Sequence, residues 1–316
     1  MEKRKDQKKK RSKLWWAVVI GSSVIGVLIL SVIAYMYSVY RDVQNTVDME
    51  VHEEVENIDT EKTKEKVENQ EPLNILLLGV DEREGDSGRS DALMVLSLNP
   101  ANDAMQLVSI PRDTRTELVG RGTQDKINHA YAFGGVDMSI NTVENFLDVE
   151  LDYFVRMNME GLTDMVDAIG GITVNNQLDW VDKGYYKQGY HYEEGEIELN
   201  GPKTMGYVRM RYQDPNGDFG RTQRQRQVIK AVIDKGASFN SVGKINEMLD
   251  VVGQNVVTNM EFKDMRDLFM NYRKTRNNFT SYMMQGNGTR IDGTYYLLVG
   301  DDEVEKVHKM IEKTES

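Results

Sequence analysis

Two aspartates and a scatter of arginines carry most of the chemistry this chain could perform. Asp81 ends an apolar run, Asn74–Val80, and Asp91 opens the next, Ala92–Asn99. Between them lies EREGDSGRS, polar and rich in turn-forming residues. If the two runs are antiparallel strands, this loop folds back and brings the carboxylates together. Two close carboxylates repel unless a cation sits between them. Mg2+ suits that place, because it takes oxygen ligands and is commonly shared between one or two carboxylates and substrate phosphates. Mn2+ would use the same donors. The competing reading is a pair of ordinary turn aspartates.

Arg83 and Arg89 lie in the same loop, and Arg112 follows the third apolar run, Met105–Ile110, in SIPRDT. Farther on comes YVRMRYQDPNGDFGRTQRQRQVI. In an extended stretch Arg209 and Arg211 project to one side, since side chains alternate. The helix expected over Arg221–Lys235 has a buried stripe of Val228, Ile229, Val232 and Ile233. Stepping back three and four residues from that stripe reaches Arg224, Gln225 and Arg221. The core-facing side thus turns from apolar to cationic in the first turns, which is costly unless an anion or acids meet it. A helix N-terminus adds free N–H groups and a favourable field for phosphate. Arginine forks match phosphate oxygens, so the whole set points to a diphosphate cradle. Any one arginine alone reads more simply as a solvated charge balancing surface acids.

Several chemistries are excluded. The 316 residues contain no cysteine, which removes disulfides, thiolate metal sites and cysteine nucleophiles. His52, His129, His191 and His308 have no short metal-ligand spacing. No Walker loop, GxSxG elbow or dinucleotide fingerprint is present. The net charge is -12, from 39 basic and 51 acidic residues. Residues 1–40 hold eight of the basic and two of the acidic ones, leaving 31 and 49, a balance of -18, for the rest. So acidic a chain does not suit nucleic acid, whose binding depends on phosphate neutralisation.

The basic head has a different explanation. Residues 14–37 read LWWAVVIGSSVIGVLILSVIAYMY without a charged side chain, long enough to span a bilayer. Trp15 and Trp16 at one end, and Tyr35, Tyr37 and Tyr40 at the other, match interfacial aromatic belts. The expected order is a cytoplasmic basic segment at 1–13, a transmembrane helix at 14–37, an acidic stalk at 38–71 and one extracellular domain at 72–316. Positive-inside bias makes this a single-pass type II protein of the cell membrane. A cleaved signal peptide is the rival, but it has a shorter apolar core and a small-residue cleavage site.

From Pro72 the pattern alternates between strand and helix. After the three apolar runs come a helix over Asn128–Asp148 broken at Gly134–Gly135 and a strand over Tyr153–Met159. A helix over Glu160–Ile169, a strand at Ile172–Val174 and a helix capped by Asn200 follow. This mixture predicts an α/β domain with a central mixed β-sheet flanked by helices.

The strings NILLLGVD, GRSDALMV, SIPRDT, DKINHAYAFGG and RMR…DFGRTQRQRQ resemble the LytR-CpsA-Psr family, over about Pro72 to Lys235, with GTRIDGTYYL similar near the end. The resemblance implies a phosphotransferase of a Gram-positive-like bacterium. Such an enzyme moves an anionic glycopolymer, such as wall teichoic acid, from undecaprenyl diphosphate to a peptidoglycan hydroxyl, forming a phosphodiester. It implies Mg2+ on Asp81 and Asp91, and diphosphate contacts from Arg89, Arg112, Arg209, Arg211, Arg221 and Gln225, with Arg83 and Arg224 in support. Arg112, Asp91 and Arg89 are the expected catalytic set, and the lipid tail is expected in an apolar tunnel. Asp91 and Asp218 are candidates for the general base, Asp218 also being suited to cap the next helix. Two rival functions share these residues: a polyprenyl diphosphate hydrolase, and a non-catalytic surface module that binds wall or regulates.

Overall fold

A computed structural model describes residues 37–38, 40–41, 44–45, 51–81, 88–237 and 255–315. The chain divides into two compact units, Met1–Asn45 and Thr46–Ser316. In the first, the six described residues are helical. The expected transmembrane helix at 14–37 lies outside the described residues except for Tyr37, as does the basic segment before it. Among the described residues, no helix is long and apolar enough to cross a membrane.

The second unit is built on a six-stranded sheet in the order β11-β6-β1-β2-β3-β12. Its strands are β1 (Leu73–Val80), β2 (Ser90–Asn99), β3 (Ala104–Ser109), β6 (Tyr153–Asn158), β11 (Val256–Thr258) and β12 (Asn278–Met283). β1 to β3 form an antiparallel meander, while β6 runs parallel to β1 and β12 parallel to β3. The expected mixed α/β sheet is therefore the observed one. Outside it, β4 (Arg115–Leu118) pairs with β5 (Thr123–Lys126), and β7 (Ile172–Asn176) with β10 (Gly195–Leu199). Short pairs also join β8 (Trp180–Val181) to β9 (His191–Tyr192) and β13 (Asn287–Ile291) to β14 (Thr294–Leu298).

Strand alternation divides the apolar side chains between two faces. Leu76, Leu78 and Val80 of β1, with Leu93 and Val95 of β2, meet helices α2 (His129–Leu147) and α7 (Asp301–Glu315). Leu73, Ile75 and Leu77, with Met94, Leu96 and Leu98, meet α5 (Asp218–Ala237) and α6 (Phe262–Asn271). A satellite core forms around Val166, Trp180, Tyr192 and Tyr207, between α3 (Met159–Ala168), α4 (Gly201–Arg209) and the small sheets.

Local signals set the ends of these helices. Asn158 and Asn200 accept backbone hydrogen bonds from Gly161 (2.6 Å) and Lys203 (3.0 Å), capping α3 and α4. The break expected at Gly134–Gly135 is present inside α2, where Gly135 has φ 62°.

Over residues 51–71, the expected stalk at 38–71 is corrected by helix α1 (Thr60–Asn69) and the segment before it. Val51, Val55, Ile58 and Val67 are buried, and His52 forms a parallel bridge with Thr258 of β11. Few apolar residues are present there, but each is packed inward, so the folded domain begins near residue 51. Lys66 holds the join: its Nζ lies 2.6 Å from Oδ1 of buried Asp152, whose Oδ2 accepts the Asn74 N–H at 2.8 Å. Asp152→Ala strands the Lys66 ammonium and an Asn74 donor in the interior. It should lower unfolding free energy by about 3 kcal/mol in urea titrations, without changing the sheet's far-UV signature.

Candidate functional site

The sheet places Asp81 and Asp91 as the antiparallel reading requires. Val80 pairs with Ser90 and Gly79 with Ala92, leaving Asp91 as an extra residue in β2. This bulge re-aims the strand end, and Asp91 meets Arg112, whose Nη1 lies 2.6 Å from Oδ1. Arg112 follows β3 on the neighbouring strand, at the same end of the sheet. The Asp81 N–H donates to the Arg89 carbonyl at 3.4 Å, closing the base of the loop. Both aspartates are half-buried and Arg89 is exposed. Arg83 lies outside the described residues.

The first turns of α5 reach the same place. Arg221 Nη2 stands 2.5 Å from Asp218 Oδ1, and Arg211 Nε stands 3.7 Å from that oxygen. Asp218 is therefore an ion partner inside the cluster, rather than the helix cap it resembled. Burial opposes the charge of Arg112, but Asp91, Asp218 and Asp113 outweigh it and raise its pKa. Arg221 goes the other way. Burial, with the positive fields of Arg112 and Arg211, overcomes Asp218 and Asp91 and lowers its pKa. Arg221 Nε is also buried without a hydrogen-bond partner. A guanidinium in that state is incompletely neutralised, and its natural complement is an anion. Arg112, Arg211 and Arg221 thus converge with Asp91 and Asp218.

Two expectations are corrected. Arg209 and Arg211 do not lie on an extended strand: Arg209 is the last residue of α4, and Arg211 follows the cap Met210. Arg209 lies 6.0 Å from the Tyr186 ring centroid. Arg224 is not directed at a ligand. It is 6% exposed, with Nη1 2.5 Å from Asp214, Nε 3.0 Å from the Tyr207 carbonyl and Nη2 on the Met210 carbonyl. Its donors are spent on bracing the turn that carries Arg211. Helical spacing placed Arg224 on the inner face correctly, but the partner it meets there is protein.

Gln225, one turn beyond Arg221, opens onto an apolar cleft of about 300 Å3. Sheet residues Leu77, Met94 and Val155 form one wall and Val228, Ile229 and Val232 of α5 the other, with Leu162 of α3 between. Gly79 and Ala92 lie at the cleft end nearest Asp91, where a Cβ built on Gly79 comes within 3.0 Å of the Ala92 Cβ. Small residues keep that end open. Phe154 is buried and Leu162 lines the cleft, whereas Phe133 is 46% exposed beneath Arg121.

Among the described residues no group of three or more His, Cys, Asp or Glu could hold a metal. Asp81 and Asp91, at adjacent strand ends, fit Mg2+ in donor type. Two carboxylates at adjacent strand ends leave positions for water and phosphate oxygens, the usual Mg2+ arrangement. Sequence spacing did not reveal Asp113, which lies 3.9 Å from Arg112 and 2.6 Å from Lys126 Nζ. Nor did it reveal Asp214; both depend on turns whose geometry has no periodic signal.

The family model for LytR_cpsA_psr matches residues 32–313. A Bacillus licheniformis protein named polyisoprenyl-teichoic acid–peptidoglycan teichoic acid transferase TagU is 44% identical over 293 residues, covering 93% of each chain. The crystal structure of Bacillus subtilis TagU has 42% identity and a TM-score of 0.63, over 78% of this chain and 97% of that one. A structure of TagT bound to LIIa-WTA has 32% identity and a TM-score of 0.69, over 78% and 91%.

Arg224 and Arg221 should part company on mutation. Arg224→Ala leaves Asp214 buried and unpaired, and should cost about 3 kcal/mol of stability. Arg221→Ala removes a poorly neutralised charge, so it should leave thermal stability unchanged or raised while abolishing the stabilisation conferred by inorganic pyrophosphate. Thermal unfolding with and without pyrophosphate measures both.

Proposed function

Because the chain belongs to the LytR_cpsA_psr family, we propose that it transfers an anionic glycopolymer from a polyprenyl diphosphate carrier to a sugar hydroxyl of peptidoglycan. The observation that carries this reading is the junction at α5, where a cationic cluster at Arg221 passes within one turn into the apolar cleft at Gln225. A molecule with a diphosphate head and an isoprenoid tail has that same sequence of polarity. The relatives' names and the TagT complex support the glycopolymer and the wall as donor and acceptor.

In this mechanism Arg112, Arg211 and Arg221 hold the diphosphate oxygens, with Arg89 and Arg209 at the rim. The tail lies between sheet and α5. The acceptor hydroxyl attacks the phosphorus next to the donor sugar and forms a new P–O bond. The bridging P–O bond breaks, and polyprenyl phosphate leaves with the electron pair. The hydroxyl proton passes to a carboxylate at the site, Asp91 or Asp218, or to water. Mg2+ on Asp81 and Asp91 would supply charge neutralisation at the phosphoryl oxygens. The protein's part is mainly positioning and electrostatic stabilisation of charge that spreads in the transition state. Asp91 pairs with Arg112 in the free protein, a contact that phosphate binding to the guanidinium would release.

Residues 14–37 are read as an anchor that leaves the domain outside the cytoplasmic membrane. Enzyme and carrier lipid then share one surface, which raises their effective concentration.

Full-length protein in vesicles, with lipid-linked polymer and peptidoglycan, tests the proposal by the polymer attached. Arg112→Ala should reduce attachment by ~100-fold or more, and chelation of divalent cations should abolish it. A loss of threefold or less with Arg112→Ala would favour a non-catalytic surface module. Polymer released into solution, with none attached to peptidoglycan, would identify a hydrolase.

A further inference from the structure

Outside the arginine cluster, three cations gather at the opposite end of the sheet. β1, β3, β6 and β12 all run toward Asp91, so the start of β12 lies at the far end. The turn leading into it carries Arg273, Lys274 and Arg276. Arg273 and Lys274 are exposed, and among the described residues none of the three forms an ion pair with a carboxylate. Arg276 donates through Nη1 to the Asp234 carbonyl at 3.3 Å, and its Nε is buried without a partner. That contact fixes the basic turn beside the last turns of α5, next to Ile233, which lines the cleft. Immediately before it, the end of α6 exposes two large apolar side chains, Phe269 at 45% and Met270 at 61%. On α6, Asp267 pairs with Arg266 and Lys263, and Lys263 also meets Glu68 of α1.

We infer that this end of the domain, from Phe269 to Arg276, docks on the surface of an anionic phospholipid bilayer. Exposed apolar side chains beside cations are the chemistry of an interfacial contact. The apolar groups enter the acyl boundary and the cations meet headgroup phosphates. The location supplies the purpose, and here the inference rests on the transfer reading. A tail whose diphosphate sits at Arg221 runs along the cleft toward Ile233. Its remainder emerges beside Met270 and Arg276, where the bilayer would receive it without exposing isoprenoid to water. Docking there also turns the diphosphate end away from the membrane, toward the acceptor.

Because the chain has no cysteine, one label can be placed at will. Full-length Met270→Cys, carrying an environment-sensitive fluorophore, is reconstituted in phosphatidylglycerol or phosphatidylcholine vesicles that contain a lipid-borne quencher. Tyr185→Cys, 60% exposed in the loop between β8 and β9, is the control. The label at 270 should be quenched strongly in phosphatidylglycerol, weakly in phosphatidylcholine, and always more than the label at 185. Adding Arg273→Glu with Lys274→Glu should weaken docking about fivefold for each cation lost. Equal quenching at 270 and 185 in phosphatidylglycerol, or no response to the charge reversals, overturns the inference. The readout needs no donor and no turnover. A failure here therefore leaves the transferase reading standing, and loss of the transferase reading leaves the quenching result standing.

Discussion

The structure turns on holding like charges together before their ligand arrives. Arg112, Arg211 and Arg221 are drawn to one end of the sheet from three different segments, with Asp91 and Asp218 among them. Each guanidinium gives up some hydration there, and the carboxylates compensate Arg112 more fully than Arg221. Such an arrangement persists only where neighbouring structure over-determines it. The bulge at Asp91, the strand end before Arg112 and the Arg224 brace behind Arg211 supply that constraint. On the proposed reading, a diphosphate would bring in the missing negative charge and release the cluster's internal pairs.

Helix α5 solves a second problem with the same residues. Its first turns carry the charges and its later turns carry Val228, Ile229 and Val232, so one element spans the change from a cationic to an apolar surface. Satisfied backbone bonds along the helix keep the two regions in fixed register. The opposing wall follows the same order: Asp91 at the strand end, then Ala92, Met94 and Leu96. An amphiphile laid between them meets matched polarity on both sides along its length.

Much of this was legible from the chain. Apolar runs bounded by turn residues gave β1 to β3 and β6, and the Gly134–Gly135 pair marked the break in α2. The antiparallel pairing on which the reading of Asp81 and Asp91 was conditioned is the observed one. Helical spacing put Arg221, Arg224 and Gln225 on one inner face, but spacing reports direction and not the partner found there. Arg224 therefore met Asp214 and backbone carbonyls, while Gln225 met a cleft. Arg209 and Arg211 were misread as strand because alternation over a few residues cannot be told from a helix end followed by a turn. The segment before Pro72 looked like a stalk because its apolar residues are few. What composition missed is that a handful of buried side chains and the Lys66–Asp152 pair suffice to dock a short helix.

The central claim is that the cationic cluster and the apolar cleft form one site. Calorimetric titration of the full-length protein with inorganic pyrophosphate and isoprenyl diphosphates of increasing length addresses it directly. Affinity should rise with tail length until the cleft is filled, with an increasingly negative heat-capacity change. Arg221→Ala should weaken every member of the series by a similar factor. Pyrophosphate binding as tightly as the longest isoprenyl diphosphate, or an affinity gain from the tail without any dependence on Arg221, would contradict the account.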